Sequence, residues 1–590
     1  MSENIQEALI ASKLTTSVRV AEQHALALTL FGVCLFGAYL LPFHFLPFPQ
    51  FYNDWLAAFG LACMLAGYAK TKGHVLHLPW IALAPVGIAT LIALQAASGM
   101  LTEGADAFLP IFSLLLVALA IVLGASISST KQGTFALNQT LAAVFLLAGL
   151  VSVAIASLQL FAADELLFPL TMGMARDAGA PMRPYANLGQ PNQLALILCF
   201  AIAAVWWFYQ VDKLNGFVSG WAIVSLLWGL VLTQSRIGWI IIPAFALCVV
   251  SYGWRQGMRK IPYKYVLFFV LVYLSGIIFY SDLARAVGAF NMSPIERMSG
   301  SSDRLAMVRQ AWEISTTFPW FGAGWGEFGP EQIRIALDFP PTVYSSHAHN
   351  IIFNFAAELG WPITILFLAT ICYWFYVNCL RKNVDTEVAF GTLIFLAVSV
   401  HSLVEFPLWY VYVLIPVALL IGMIHSRQAV DMPIMAKGSA STVLAIVVLA
   451  GVLGVAMDYR RLASSMWTAG LASEGIKVDI WNFEKPKLTL FPHFYNYFQA
   501  KTIVPREGMP SSEIKMMEKV SQRFGYRYEL HQLALAYALN ADQDKAVTTL
   551  QRFRHLHLDY YKMVYEEWQR KAKRNPALFS KIIERLPVPE

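Results

Sequence analysis

The chain reads as long apolar runs separated by short polar stretches. Runs able to cross about 30 Å of hydrocarbon fall at 26–46, 78–97, 107–126, 141–163, 193–211, 217–233, 237–254, 264–281, 350–377, 386–404, 408–425 and 440–458, with a shorter one at 55–69. The pattern predicts an all-α polytopic membrane protein with about thirteen transmembrane helices. Two longer polar stretches interrupt it, residues 282–348 and the tail 459–590. The first is rich in proline and aromatics and is expected to pack back rather than hang free. In the tail, 529–556 reads as a helical hairpin: Leu533-Ala-Leu-Ala-Tyr-Ala-Leu-Asn540, a turn, then Asp544-Lys-Ala-Val-Thr-Thr-Leu550, the pattern of one tetratricopeptide unit.

Charge sets the sides. Lys and Arg gather in alternate short segments: Lys13 and Arg19, Lys70 and Lys72, Lys131, Lys213, the group from Arg255 to Lys264, Arg381 and Lys382, Arg427 and Lys437. The other short loops carry only Arg176, Arg183 and Arg236. By the positive-inside rule this places the N-terminus in the cytoplasm and both the 282–348 loop and the tail outside. The expected organisation is a cytoplasmic segment (1–25), nine spans (26–281), a large outer loop (282–348), four spans (349–458) and an outer helical domain (459–590). The first run has no small-residue cleavage site in the usual place and is expected to stay as a span.

Composition agrees with this picture. Of the 590 residues 57% are apolar and 14% charged, against about 25% charged in soluble domains. The six cysteines show no metal spacing and fit buried small residues rather than a disulfide framework.

Five polar groups fall on the outer side of this topology. They are Arg183-Pro-Tyr-Ala-Asn187-Leu-Gly-Gln190-Pro-Asn192-Gln193, Thr233-Gln-Ser-Arg236, the arginines and aspartate of the large loop (Arg297, Asp303, Arg304, Arg309), Ser345-Ser-His347-Ala-His349-Asn350, and His401 with Glu405-Phe-Pro407. Each has a structural alternative. Gln-Pro-Asn is ordinary helix-start chemistry, Arg236 fits a side chain snorkelling to headgroups, and His401 fits a satisfied core histidine. His347 and His349 alone make a poor zinc site, which needs three or four ligands; no metal or cofactor is expected. Taken together, the groups suit recognition of a diphosphate by guanidinium forks and proton abstraction by imidazole. Glycosyl transfer from a lipid diphosphate needs both services. A transporter, the non-catalytic alternative, places its ionisable residues near the midplane rather than at one face.

The stretch His347-Ala-His349-Asn350 through Glu358-Leu-Gly360-Trp-Pro362 resembles the His-Asn…Glu-Leu-Gly signature of the O-antigen ligase and polymerase superfamily. Its approach, Asp303-Arg304…Trp312…Pro319-Trp-Phe-Gly322-Ala-Gly324, and the earlier Gln234-Ser-Arg236 are similar as well. Within that superfamily, Gly189-Gln-Pro-Asn192 and the long tail resemble PglL-type protein O-oligosaccharyltransferases. The resemblance implies a GT-C-like enzyme of the bacterial inner membrane with a periplasmic active site. It implies inverting, metal-independent transfer of a whole glycan from undecaprenyl diphosphate to a Ser or Thr hydroxyl of a periplasmic or pilin-like protein, with membrane lipids around it and no nucleic acid. It casts His349 as the base with His347 as runner-up, and Arg236 and Arg304 as diphosphate ligands. Arg183, Asn187, Gln190, Asn192, Asn350 and Glu405 would line the donor or acceptor entrance. Ligation to lipid A–core and polymerisation of the glycan on its lipid are the alternatives on the same scaffold.

Overall fold

The computed structural model describes residues 25–70, 75–174, 182–255, 258–288, 302–381, 383–428, 432–434, 438–473, 476 and 484–589. The expectations for the first 24 residues and for Arg176 and Arg297 lie outside them. In chain order, α1 (Ala25–Leu40) and α2 (Phe51–Ala69) precede strand β1 (Leu76–Leu78), α3 (Leu83–Ala97), α4 (Phe108–Ile127) and α5 (Lys131–Leu160). Next come α6 (Pro191–Gln210), α7 (Gly216–Thr233), α8 (Ile237–Arg255) and α9 (Tyr263–Ala286). The large loop and the apolar run after it contain α10 (Ser302–Thr317), α11 (Phe328–Ile335), α12 (Ile351–Leu359) and α13 (Trp361–Phe375). After these stand α14 (Thr386–Ser402), α15 (Val411–Gln428), strand β2 (Met432–Ile434) and α16 (Gly438–Ser473). The tail adds α17 (Pro492–Thr502), α18 (Ser511–Arg523), α19 (Arg527–Leu539), α20 (Gln543–Leu556), α21 (Leu558–Arg574) and α22 (Pro576–Ile583).

The protein is an all-α polytopic membrane protein. Among the described residues, ten helices have the length and hydropathy of a span, fewer than the thirteen expected. The other three predicted segments are helices too, but α1 and α14 are shorter, and α2 carries Asn53 and Asp54 in its first turn. One predicted span is redrawn. The apolar run 350–377 is cut at Gly360, which takes φ 83°. A Cβ there would stand 2.5 Å from the backbone carbonyl of Trp320. The helix before it, α12, is therefore separate, and the span begins at Trp361. The last span is also longer than its apolar run, because α16 continues to Ser473. The cysteines are all unpaired, but only Cys199 and Cys379 are buried and Cys372 is exposed on α13.

The chain divides into two compact units. The first comprises Met1–Ile88, Phe112–Met298 and Ala369–Ala456. Its centre is α6, whose span is 89% buried against 22% for α9, so α6 is clasped by protein while α9 faces lipid. Helix α6 packs on α5, α7, α8 and α14, and it carries Asn192 at its N-terminal end. Helices α4 and α15 cross at Gly124 and Gly422; a Cβ on either would fall within 2.1 Å of the other's backbone oxygen, the close approach that small residues permit in membranes. Strands β1 and β2 pair antiparallel, Leu76 opposite Ile434.

The second unit comprises Ala89–Ile111, Ser299–Leu368 and Met457–Glu590. Its tail helices close around Trp568, Leu550 and Phe553, and the same core takes in Ile333 and Ala336 at the end of α11. A smaller core joins Met307, Ala311 and Ile314 of α10 to Phe328, Ala348 and Ala357.

Candidate active site

The first unit holds a polar cluster at the start of α6. The loop before it is drawn tight by two amides. Gln159 accepts from the backbone N–H of Tyr185 (3.0 Å) and Ala186 (2.8 Å), and its Nε2 donates to the carbonyls of Met172 and Ala186. Asn187 accepts from Met172 N (2.9 Å) and donates to the carbonyls of Leu40 (2.7 Å) and Leu170 (2.8 Å). Asn187 is buried and its side chain ties three backbone segments together. Gln190 accepts from Gln193 N at 2.7 Å, capping α6 with Pro191 in its first turn, as the helix-start reading expects.

Asn192 is the hub. Its Nδ2 donates to Glu405 Oε1 at 2.7 Å. Its Oδ1 accepts from Arg183 Nη2 at 3.1 Å and from Ser235 Oγ at 2.8 Å. Arg183 Nε donates to the Thr233 carbonyl at 3.1 Å. Three motifs far apart in sequence thus meet on one buried amide, which stands between a guanidinium and a carboxylate. Glu405 is 4% exposed and Asn192 6%, so both hold the cluster from inside. The turn from α7 to α8 places Gln234 in the left-handed region, φ 52°, with Nε2 donating to Val231 O at 2.7 Å. Arg236 follows at the head of α8, half-buried. His401 is fully buried.

The second unit holds the histidines. Asn350 caps α12, its Oδ1 accepting from Ile352 N and Phe353 N at 3.0 and 3.2 Å. One turn on, Asn354 Oδ1 accepts from Ala348 N at 2.9 Å, which fixes the residue between the two histidines. His349 itself takes φ 52°, a conformation that costs a non-glycine residue about 1 kcal/mol or more and persists only where the surroundings impose it. His347 is partly buried; that burial, with His349 and Arg523 nearby, lowers its imidazole to about 3. Arg304 lies one turn before Met307 on the stripe Met307, Ala311, Ile314 that packs against Ala348, so helical periodicity turns it toward the histidine loop.

The tail grips the same loop. Thr342 N and Tyr344 N donate to the carbonyls of His555 (2.7 Å) and Leu556 (3.2 Å). Nδ1 of His555 bonds the Phe339 carbonyl at 2.8 Å, and Nε2 of His557 bonds the Gly525 carbonyl at 2.7 Å. Arg523 closes on Asp106 (2.6 Å), which His493 meets from the other side (2.7 Å). None of these contacts was expected from sequence. Lone amides within apolar runs were the available signal: Gln159, and Gln95, whose Nε2 donates to Phe321 O at 2.8 Å and Glu358 O at 2.9 Å. Among the described residues no three His, Cys, Asp or Glu side chains gather to hold a metal ion.

Residues 221–368 match the O-antigen ligase family and residues 389–574 match the family described as virulence factor membrane-bound polymerase, C-terminal. A general O-oligosaccharyltransferase of Acinetobacter baylyi is 26% identical over 559 residues, 92% of this chain and 94% of the relative. A ComP-specific O-oligosaccharyltransferase of the same organism is 26% identical over 253 residues, 42% of this chain and 44% of the relative. The ligase family match covers the histidine loop, the polymerase family match runs through the tail, and an O-oligosaccharyltransferase is similar nearly end to end, so the chain is similar to proteins of the O-antigen ligase and polymerase superfamily and to its O-oligosaccharyltransferases.

Proposed function

We propose that the protein carries out O-linked glycosylation of proteins, moving a whole oligosaccharide from undecaprenyl diphosphate to Ser or Thr hydroxyls of periplasmic or pilin-like acceptors at the outer face of the bacterial inner membrane. The observation that carries the reading is His349, held in a left-handed conformation beside a capped helix start; His347 is the runner-up base. In this reading His349 takes the proton from the acceptor hydroxyl as its oxygen attacks the anomeric carbon. The bond from that carbon to the diphosphate oxygen breaks, and undecaprenyl diphosphate leaves with the electron pair. Attack opposite the leaving group inverts the anomeric centre. Arg236 and Arg304 stabilise the departing charge, which guanidinium groups do without a metal. Arg183, Asn187, Gln190, Asn192, Asn350 and Glu405 line the donor or acceptor entrance in this reading.

The test is transfer in a bacterium making a lipid-linked glycan and lacking its core ligase, with a pilin-like acceptor supplied. A gain of one whole glycan in the acceptor's intact mass, reduced by about 10²- to 10⁴-fold in His349→Ala, is expected. Glycan on lipid A with an unmodified acceptor makes the protein a ligase instead, and longer lipid-linked glycan makes it a polymerase.

A further inference from the structure

We propose that Trp320 and Phe321 form a membrane anchor: their side chains insert into the bilayer interface beside the spans α3 and α13, and so fix the glycine-rich loop, and with it α12, to the lipid surface. The partner is the phospholipid bilayer around the protein. The consequence for α12 rests on the reading of His349 as the base.

The segment is marked first by what it omits. No charged residue stands between Glu313 and Glu327, and Glu327 itself is buried; charge at lipid depth is costly. Main-chain bonds then leave the two aromatics no freedom to fold inward. Trp361, the first residue of the α13 span, donates its N–H to Pro319 O at 2.9 Å, and Gly322 N donates to Phe318 O at 3.1 Å. From the other side Gln95, two residues before the end of the α3 span, donates to Phe321 O at 2.8 Å. The backbones touch as well. A Cβ on Gly360 would stand 2.5 Å from the Trp320 carbonyl carbon, and one on Gly322 would stand 2.2 Å from that of Glu358. Trp320 and Phe321 are thereby held at the ends of two spans.

Their side chains lie outside the protein all the same, 70% and 63% exposed. Large apolar groups held rigid on a surface call for an apolar surrounding, and the neighbouring surface says which. Leu94, in the last turn of α3, and Ile365 and Leu366, in the second turn of α13, are exposed too; on spans, such side chains face lipid. The aromatic pair continues that lipid-facing surface one step past the span ends. That is the level at which a tryptophan keeps its ring in the apolar layer and its N–H in the wet one. From Phe321 the chain runs directly into Ala323 and Gly324, which donate to Ala357 O at 2.8 Å and Glu358 O at 3.2 Å in the last turn of α12. Helix α12 is nine residues long, so about 13 Å of helix separates the anchor from the Asn350 cap beside His349. The bilayer surface is then the reference against which the histidine is held, and a donor whose lipid lies in that bilayer is met at a fixed depth.

The test places the photoreactive residue benzoylphenylalanine at position 320 or 321 of the full chain, in membranes that contain a lipid-linked glycan and an acceptor protein, and weighs the adducts formed on irradiation. Phospholipid adducts are expected at both positions, and none at Val588, which is as exposed but stands at the end of the tail. Adducts to the acceptor, adducts to the lipid-linked donor in place of phospholipid, or no adducts at 320 and 321 overturn the proposal. This readout does not involve His349, so it stands or falls apart from the reading of the base, which His349→Ala tests. The hold on α12 is measured with the double variant Trp320→Ser, Phe321→Ser in lipid nanodiscs. Transfer from a full-length lipid donor is expected to fall about tenfold while transfer from a short-chain, water-soluble donor stays within about twofold, since a shift of about 1 Å between reacting groups suffices for such a loss. Equal loss with both donors, or no loss with either, overturns that hold. If the double variant fails to accumulate, Phe321→Ser alone is measured with the same two donors.

Discussion

The cluster at Asn192 and the loop at His349 solve opposite problems. At Asn192 a guanidinium, a hydroxyl and a carboxylate meet one amide through short side-chain bonds, and every partner comes from a polar motif standing out against apolar sequence. Around His349 the work is done by backbone. Ala348, Thr342 and Tyr344 are held through their N–H groups, and the strained φ of His349 is imposed by the caps and cores on either side of it. The first arrangement stabilises; the second places a reactive group in a conformation it would not choose. The comparison predicts that lesions in the first cost stability and activity together, while lesions around the second cost activity first.

The largest effect is expected from Asn192→Ala. It strips a charged acceptor at Glu405 and a donor at Arg183 of their shared partner inside the protein, a loss of about 2–3 kcal/mol. The variant should show lower yield of inserted protein and a lower Tm in detergent by several degrees, with transfer falling in proportion to folded protein. Normal Tm with abolished transfer would mean that Asn192 touches substrate, and the contrast between the two regions would narrow.

This difference also explains what could be read from the sequence. The spans are legible because each needs a long apolar run; charge asymmetry puts Arg183, Asn192 and Glu405 on one expected side, but their meeting on one amide is seen only in the structure. The break at Gly360 is not legible: a run apolar from 350 to 377 has no polar mark where it turns, and the glycine is required by the backbone of Trp320, a partner distant in sequence. The hold of the tail on residues 339–344 was invisible for the same reason, since backbone hydrogen bonds leave no side-chain signature. The partners of Asn187 and Glu405 lie far off in sequence, at Leu40 and Asn192, and no local pattern marks them.

A smaller and more selective effect is expected from Gly525→Ala. The new Cβ would stand 2.8 Å from Tyr344 Cε2 and 2.8 Å from Ile333 Cγ1. Tyr344 packs edge-on against Tyr526 at 5.8 Å and has side-chain rather than backbone atoms in the way, so the tail can keep its fold while the loop shifts. We expect kcat to fall about tenfold with Tm within about 2 °C of the native chain. Equal loss of both would show the tail to be a support for folding only.

The smallest effect is expected from acid. His347 has an imidazole lowered to about 3 in the folded protein against about 6.5 in an unfolded chain. Between those values the unfolded state binds a proton that the folded state refuses, so this group's contribution to stability is intact above pH 6.5 and is lost progressively as pH falls toward 3. His347→Gln, which cannot take that proton, should flatten the acid side of the stability curve. The expected change is about 2 °C in the Tm difference between pH 7 and pH 5, with transfer at pH 7 altered much less than in His349→Ala. A variant whose Tm falls with acid as steeply as the native chain would mean that His347 is not the titrating group. The strained backbone at His349, rather than the burial of its neighbour, would then remain as what distinguishes this loop from the cluster at Asn192.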